Sequence, residues 1–221
     1  MNYEIIKTGS KGNSIVFNTN ILLDIGVPYK SLKKYLKRVN LVFISHRHID
    51  HLLKSTIKQI NYNYPKIKFI CNFEVAVKIY EWGVNKNSIW CLDEHRWFDI
   101  GYAKVRLEKL KHDASNSSFQ IEYKKGGKMI YITDTGEIPS EIQAKDYDLY
   151  LIEANYKNEE ELDRLIQQDY DNGLEFSHYV RVRDTHLSEE QALEWLKNNM
   201  GENGKFEFIH MHVEGGDNVN R

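Results

Sequence analysis

The feature that most constrains this chain is a run of polar side chains placed directly after an apolar segment. Residues 41–44, Leu-Val-Phe-Ile, are apolar and rich in β-forming types, which predicts a buried strand. The sequence Ser-His-Arg-His-Ile-Asp-His at 45–51 follows at once, so imidazoles and a carboxylate crowd at one strand exit. Burying such groups without partners is costly. Coordination of a metal ion by neutral imidazole and carboxylate removes that cost, and the motif therefore predicts a metal site.

The spacing of this motif favours two neighbouring metal ions. His46 and His48 are two residues apart, so their side chains point the same way on an extended backbone. Asp50 and His51 follow where the chain turns toward a helix, and they can therefore face a second point. A histidine-rich loop with satisfied hydrogen bonds is the alternative. With 9 histidines in 221 residues, the pattern would arise by chance in roughly one sequence in a thousand, which favours metal binding.

Length and composition are those of one globular domain. The chain has 221 residues, of which 41% are hydrophobic and 28% are charged. Its net charge of -2 gives no overall attraction to nucleic acid, so a polyanion would have to be bound by a local patch or by metals. The sequence opens without a signal-peptide pattern, and no apolar run reaches the roughly 18 residues of a membrane span. We therefore expect a cytoplasmic protein with no membrane partner.

Hydrophobic periodicity predicts an alternation of short strands and helices. A capping box formed by Ser188 and Gln191 indicates the start of the last helix. The segment 170–185 is expected to be irregular. Helices are expected over 28–38, 52–62, 74–82, 158–169 and from 188 onward, and strands over 3–7, 15–17, 21–24, 41–44, 68–71, 89–92, 97–100, 104–110, 118–123, 128–133, 149–154 and 205–209.

The histidine motif resembles the signature of the metallo-β-lactamase superfamily, and further motifs agree. Gly-Ser-Lys-Gly-Asn-Ser at 9–14 resembles the first loop of the short bacterial WalJ-type (YycJ-type) hydrolases. His-Asp-Ala at 112–114 and Thr-Asp-Thr-Gly at 133–136 resemble the third and fourth motifs of that branch. His-Leu-Ser at 186–188 resembles a helix start shared with ribonuclease Z. The resemblance covers nearly the whole chain. It implies an α/β fold, a four-layer αββα sandwich of two mixed β-sheets with outer helices and metals at one edge.

The resemblance also implies two sets of metal ligands and a bridge between them. Asp134 leaves an apolar strand into a glycine turn, and its two carboxylate oxygens could bridge two cations. His210 matches the superfamily's final ligand by its position after the last strand. His212 stands where relatives commonly carry serine, so the choice between these two histidines stays open. The expected sets are His46, His48 and His112 for one ion, and Asp50, His51 and His210 for the other, with two Zn²⁺ (or Mn²⁺) as the expected ions.

Other residues are expected to act around the metals. Asp50 and His186 are expected to be catalytic, and the resemblance makes His186 a proton donor. Asp24 and Glu153 end predicted strands, and in this superfamily such carboxylates orient a ligand; a solvated strand end is equally plausible for each. Ser45, at the head of the motif, is placed with them.

The regions outside the motifs are given lesser roles. The charged segment 170–185 lies between two motifs and is expected to contact substrate, although such loops are usually only solvated. A single domain is expected over 1–213, with a flexible tail over 214–221. The residues of the charged segment that would contact substrate are His178, Arg181 and Arg183.

Together these motifs predict a dinuclear metal-dependent phosphodiesterase. Its substrate would be a phosphodiester, either nucleic acid (DNA or RNA) or a small cyclic nucleotide, cleaved by metal-activated water. A thioester or lactone hydrolase on the same metals is the second hypothesis. A non-catalytic metal-binding protein is the third, but a structural zinc is closed by four ligands, whereas this set leaves a position for water. Related enzymes are often dimers, so a homodimer is also expected.

Overall fold

In the computed structural model, which describes residues 1–210, two six-stranded β-sheets pack face to face. The first sheet contains, in spatial order, β1 (Tyr3–Lys7), β2 (Ser14–Phe17), β3 (Ile21–Leu23), β4 (Leu41–Ile44), β5 (Lys68–Cys71) and β6 (Ile89–Cys91). The second sheet contains, also as consecutive neighbours, β7 (Trp97–Asp99), β8 (Ala103–Leu110), β9 (Asn116–Tyr123), β10 (Lys128–Ile132), β11 (Leu149–Glu153) and β12 (Lys205–Ile209).

Both sheets are mixed, as predicted. In the first sheet β1, β2 and β3 are antiparallel neighbours, and β3 to β6 run parallel. In the second sheet β7 to β10 are antiparallel neighbours, and β10 to β12 run parallel. Parallel strands end at the same edge of a sheet. The segments that follow β8, β10, β11 and β12 therefore leave the second sheet together, on the side where the motif after β4 leaves the first.

The helices form the outer layers and complete the predicted αββα sandwich. Apolar side chains of α1 (Tyr29–Leu32), α2 (Lys54–Asn63) and α3 (Phe73–Glu81) pack on the outer face of the first sheet. Those of α6 (Glu189–Asn199) pack on the outer face of the second. Two further helices, α4 (Glu159–Asp171) and α5 (Tyr179–Thr185), pack against each other.

The strand of the histidine motif is buried on both faces. All of β4 is buried, with Val42 and Ile44 toward the helices and Phe43 toward the second sheet. Phe43 lies edge-on to Phe119 of β9, with ring centroids 5.0 Å apart. Burying each such side chain contributes about 1.5–3 kcal/mol. Coverage of both faces explains why this strand reads as a continuous apolar run.

Two predicted segments differ from the structure. The helix expected over 28–38 is a single turn, α1, followed by turns in which the Tyr35 amide bonds to the Leu32 carbonyl at 2.9 Å. The helix was predicted from the spacing of apolar residues in this segment. Leu36 and Val39 are indeed buried, but the turns bury them as well as a helix would. The segment expected to be irregular contains α5. No apolar stripe marks this helix, and Arg183 on it is ion-paired with acids of α4.

Other expectations concern the ends of the chain and membranes. The capping box at Ser188 and Gln191 is present. The end of the predicted domain at residue 213 and the predicted tail over 214–221 lie outside the described residues. Within the described part of the chain, no helix has both the length and the apolarity needed to cross a bilayer.

Candidate metal centre

Three imidazoles converge where β4 and β8 leave their sheets. His46 is buried, and its Nε2 lies 3.1 Å from Nδ1 of His48. The same His48 nitrogen lies 3.3 Å from Nε2 of His112, which follows β8. Burial, reinforced by neighbouring imidazoles, holds the pKa of His46 well below its ordinary value. Burial likewise lowers the pKa of His112 to about 4. Neutral imidazoles with converging lone pairs are the form that binds a cation.

A second group combines imidazoles with carboxylates. His51 Nε2 lies 3.4 Å from Oδ2 of Asp50 and 3.3 Å from Oδ1 of Asp134. His210, which follows β12, places Nδ1 at 3.0 Å from that same Asp134 oxygen. The rings of His51 and His210 are stacked, with centroids 5.6 Å apart. Burial alone would raise the pKa of Asp134, but His210 and His51 outweigh it and hold this pKa well below its ordinary value.

Asp134 lies between the two groups. Its Oδ2 is 3.8 Å from Nε2 of His46 and 4.0 Å from Nε2 of His112, whereas its Oδ1 faces the second group. The residue leaves β10 with a φ of 49°, a left-handed conformation that costs about 1–3 kcal/mol outside glycine. Asn116 stabilises this turn, because its Nδ2 donates to the carbonyls of Thr133 at 2.6 Å and Asp134 at 2.7 Å.

The donor set fits a pair of divalent cations. His46, His48 and His112 have one potential ligand atom each within 4.8 Å of one another, and so do Asp50, His51, Asp134 and His210. The donors are imidazole nitrogen and carboxylate oxygen, with no sulfur, which suits zinc or manganese.

Asp24 and Ser45 hold the histidines of the first sheet. Asp24 Oδ2 accepts hydrogen bonds from Nδ1 of His51 at 2.7 Å and from the Ser45 hydroxyl at 2.8 Å. Asp24 Oδ1 accepts from the Ser45 amide at 2.8 Å, and Oγ of Ser45 lies 3.0 Å from Nδ1 of His46. Burial would lower the pKa of His51, but Asp134 and Asp24 outweigh it and hold this pKa well above its ordinary value. Asp24 is fully buried, so it is not a solvated strand end.

His186 and Glu153 form a third pair beside Asp134. His186 Nδ1 lies 2.9 Å from Oε2 of the buried Glu153, whose other oxygen accepts from the Thr135 amide. These two residues and Asp134 each have a potential ligand atom within 4.8 Å of the others. Burial would lower the pKa of His186, but Glu153 outweighs it and raises this pKa. Burial also raises the pKa of Glu153 itself. Glu153 therefore orients the imidazole.

The residues predicted to contact substrate are placed differently from one another. Arg181 lies at the edge of the centre, because its guanidinium is 2.7 Å from Asp113, and Asp113 is 3.3 Å from Nε2 of His48. Arg183 is held by Glu159 and Asp163 of α4 and is not brought to the centre. His178 is exposed, and the nearest acid on α4, Asp169, is 4.0 Å away. His212 lies outside the described residues.

Sequence reasoning missed a buried amide beside the second group. The side-chain Nδ2 of Asn13 lies 2.8 Å from Nε2 of His51 and 3.3 Å from Oδ2 of Asp50. The backbone amide of Asn13 donates to the Asp50 carbonyl at 2.6 Å. The available signal was its place in the glycine- and serine-rich loop. Gly26 is needed here too, since a Cβ on it would lie 1.7 Å from the Asp50 carbonyl oxygen.

Other missed residues support the second sheet's side of the centre. Asn116 carries the carbonyls around Asp134, and Asp113 touches both His48 and His112. Tyr131 donates its hydroxyl to Asp24 at 2.8 Å. No sequence pattern singles out Asn116 or Tyr131, because their partners are brought close only by folding, whereas Asp113 lies inside the His-Asp-Ala motif at 112–114.

Comparisons with known proteins agree with this fold. A model described as "Beta-lactamase superfamily domain" matches residues 19–211. The exodeoxyribonuclease YycJ of Bacillus anthracis is 22% identical over 176 residues, which cover 71% of this chain and 63% of that protein. The chain thus spans less than two thirds of that relative's length.

Solved structures give the same result for the fold. The metallo-beta-lactamase fold protein YhfI from Bacillus subtilis aligns with a TM-score of 0.73 at 14% identity, covering 97% of this chain and 87% of that one. The short form of human tRNase Z aligns with a TM-score of 0.69 at 16% identity, covering 96% and 92%. At these identities the likeness shows the fold alone. Because the family model spans most of the sequence, the chain belongs to the beta-lactamase superfamily and is a hydrolase of the metallo-β-lactamase fold with candidate His/Asp metal clusters.

Proposed function

We propose that this chain is a dinuclear metal-dependent phosphodiesterase that cleaves nucleic acid or a small cyclic nucleotide. The observation that carries the proposal is the position of Asp134. Its Oδ2 faces His46 and His112, and its Oδ1 faces His51 and His210, so one carboxylate could serve two cations. We propose zinc or manganese as the ions, from the nitrogen and oxygen donors.

Different residues of the centre would have different roles in hydrolysis. Two bound divalent cations would lower the pKa of water, polarise the phosphoryl group and neutralise the developing charge. Asp50 would enter this site ionised, because His51 outweighs burial and lowers the pKa of its carboxyl. Asp24 would keep His51 in one orientation through its 2.7 Å hydrogen bond. Such outer contacts fix the ring and tautomer of a ligating histidine.

His186 would act as the general acid. Its Nδ1 is held by Glu153, which leaves Nε2 as the nitrogen that would deliver a proton to the leaving oxygen. The raised pKa of His186 favours the protonated form that an acid requires. Its ring centroid lies 5.6 Å from that of His112 and 5.2 Å from that of His210, so both ligand groups are within reach.

The comparisons support nucleic acid as the substrate to test first. The curated relative is named an exodeoxyribonuclease, and one structural neighbour is a tRNase. DNA and RNA are therefore both included in the proposal. The predicted homodimer stays a prediction, which light scattering of the purified chain would check.

A substrate panel tests this function. The zinc-loaded and manganese-loaded protein would be assayed with bis-p-nitrophenyl phosphate, labelled DNA and RNA, a cyclic nucleotide, a thioester, a lactone and nitrocefin. We expect metal-dependent cleavage of phosphodiesters that disappears in Asp134→Ala. It should persist in Asp93→Ala, a matched change at a carboxylate that is exposed and paired with Arg96. Turnover of the thioester or lactone alone would contradict the phosphodiesterase and support the second hypothesis.

A further inference from the structure

A buried tyrosine hydroxyl connects the two sheets behind the candidate metal centre. Tyr131 lies on β10 with 1% of its surface exposed, and its hydroxyl donates to Oδ2 of Asp24 at 2.8 Å. Asp24 follows β3 in the other sheet, so this bond joins residues that are 107 positions apart in the sequence. A buried hydroxyl is costly without a partner, and Asp24 supplies it.

The carboxylate that receives this bond is the one that orients His51. Asp24 accepts from His51 and from the amide and hydroxyl of Ser45, all on the first sheet's side of the centre. Tyr131 adds a donor from the second sheet. The Tyr131 hydroxyl therefore links Asp24, which holds His51, to β10, the strand that Asp134 follows.

This tie matters because the second ligand group draws on both sheets. Asp50 and His51 come from the first sheet, whereas Asp134 and His210 follow strands of the second. Asp134 is three residues beyond Tyr131 in the chain. A small change in the distance between the sheets would open the 3.3 Å gap between His51 and Asp134.

The tyrosine ring is itself held in place. It is stacked on Phe119, with centroids 6.4 Å apart and planes at 7°. Phe119 in turn packs edge-on against Phe43 of β4, the strand that precedes the histidine motif. The position of the hydroxyl is therefore fixed by packing, which is what a group that sets a distance requires.

We propose that Tyr131 is a positioning residue for the group Asp50, His51, Asp134 and His210, acting through Asp24 to set the affinity of that group for its metal ion. The inference rests on the metal centre of the proposed function. It concerns a hydroxyl and not the packing of the ring, so Tyr131→Phe removes the proposed role and keeps the shape.

The matched control is Tyr150→Phe. Tyr150 lies fully buried on the neighbouring strand β11, paired in register with Ile130. Its hydroxyl donates to the carbonyls of Ala144 at 2.6 Å and Asn199 at 3.0 Å and makes no contact with Asp24. Each variant loses a buried hydroxyl, but one of these hydroxyls is tied to the centre.

The experiment is a titration of the metal-free full chain with Zn²⁺ against a competing chromophoric chelator. We expect two ions in the unchanged chain. Tyr131→Phe should weaken one of them by about tenfold, the lower end of what outer contacts of a metal ligand are worth. It should weaken the other by less, because Asp24 bonds to His51 directly and reaches His46 only through Ser45. Tyr150→Phe should bind both ions as the unchanged chain does. In a His51→Ala background, Tyr131→Phe should weaken the remaining ion by much less than tenfold.

Several results would overturn the inference. Equal affinities in Tyr131→Phe and the unchanged chain would do so, as would the same loss for both ions or the same loss in Tyr150→Phe. A tenfold loss that persists in the His51→Ala background would assign the hydroxyl to the other group. Binding of two ions with no phosphodiester cleavage would contradict the proposed function alone, since the titration requires no substrate.

Discussion

The two sheets build their halves of the candidate centre in different ways. The first sheet supplies its potential ligands from one loop, residues 46–51, directly after β4. The second sheet supplies His112, Asp134 and His210 from the exits of three strands that are far apart in the sequence. One half thus depends on local spacing, whereas the other depends on strand order and register. A compact motif can be recognised in a sequence, but a dispersed one exists only after folding.

The two halves also differ in what holds them. In the first half, Asp24 accepts from His51 at 2.7 Å and from Ser45 at 2.8 Å, and Ser45 Oγ lies 3.0 Å from Nδ1 of His46. In the second half the backbone itself turns: Asp134 leaves its strand with a φ of 49°, and His210 leaves its strand with a φ of 56°. Asp134 and His210, two of the three ligand positions of the second half, therefore depend on backbone strain that the surrounding structure has to maintain.

The largest effect is expected for Asp134→Ala, because this residue of the second half lies between the two ligand groups. Both ligand groups lose the carboxylate between them, so we expect loss of both ions and of phosphodiester turnover. The loss of activity should exceed the roughly 100-fold cost of removing an outer contact of a metal ligand. His210→Ala, which touches one group, should cost one ion. Elemental analysis with activity assays checks both variants, and circular dichroism checks that the apolar sandwich survives. Full activity of Asp134→Ala with both ions bound would exclude a shared carboxylate.

The first half of the candidate centre could be predicted from the sequence because its residues are close together in the chain. The strand before it is an uninterrupted apolar run, and the spacing of His46, His48, Asp50 and His51 survives in three dimensions. The αββα fold was accessible too, from the order of strands and helices and from the resemblance. His112, Asp134 and His210 needed the resemblance, since they follow three different strands that are far apart in the sequence.

The supporting residues of the centre could not be predicted from the sequence, because they act through contacts between residues that are distant in the chain. Asn13 is 37 residues from Asp50 in the sequence, and Tyr131 is 107 residues from Asp24. The loop motif at 9–14 contains Asn13 but does not indicate its partner, and a tyrosine in an apolar strand gives no pattern at all. The short helix α5 was missed for a related reason, since ion pairs with α4 accompany it and no apolar stripe marks it.

A smaller effect is expected at His186, which would give a proton and would not hold an ion. His186→Ala should lower the cleavage of a natural phosphodiester by about 10²–10⁴-fold, the usual worth of general acid–base help. The loss should shrink for bis-p-nitrophenyl phosphate, because nitrophenolate leaves without a proton. Metal content should be unchanged. Equal losses on both substrates together with a missing ion would make His186 a ligand of the second half.

Removal of the metals should lower the stability of the chain. An ion that binds the folded state alone, present at about 1,000 times its dissociation constant, stabilises that state by roughly 4 kcal/mol. A chelator should therefore lower the melting temperature, and readdition of zinc should restore it. Hydrogen exchange should become faster in the loop 46–51 and in the turn 133–136, one from each half. An unchanged melting temperature in the chelated protein would contradict metal binding at this centre.

The smallest effect is expected at the edge of the second half, where α5 carries two arginines with different surroundings. Arg181 is paired with Asp113, which contacts His48 and His112, whereas Arg183 is paired with acids of α4. If Arg181 contacts a phosphodiester, its loss should raise KM and leave kcat nearly unchanged. An exposed charge contact is worth up to about 1 kcal/mol, which corresponds to roughly a fivefold rise in KM.

Arg183→Ala is the matched control, since it removes the same charge from the same helix. It should leave KM unchanged. The rise in KM for Arg181→Ala should also shrink as salt is added, because the Arg181 side chain is exposed and ions screen the contacts of exposed charges. A fall in kcat with loss of a metal ion would show a different role, in which Arg181 holds Asp113 against the imidazoles. Equal KM values for the two variants would exclude α5 from substrate binding and leave the strand exits as the whole of the site.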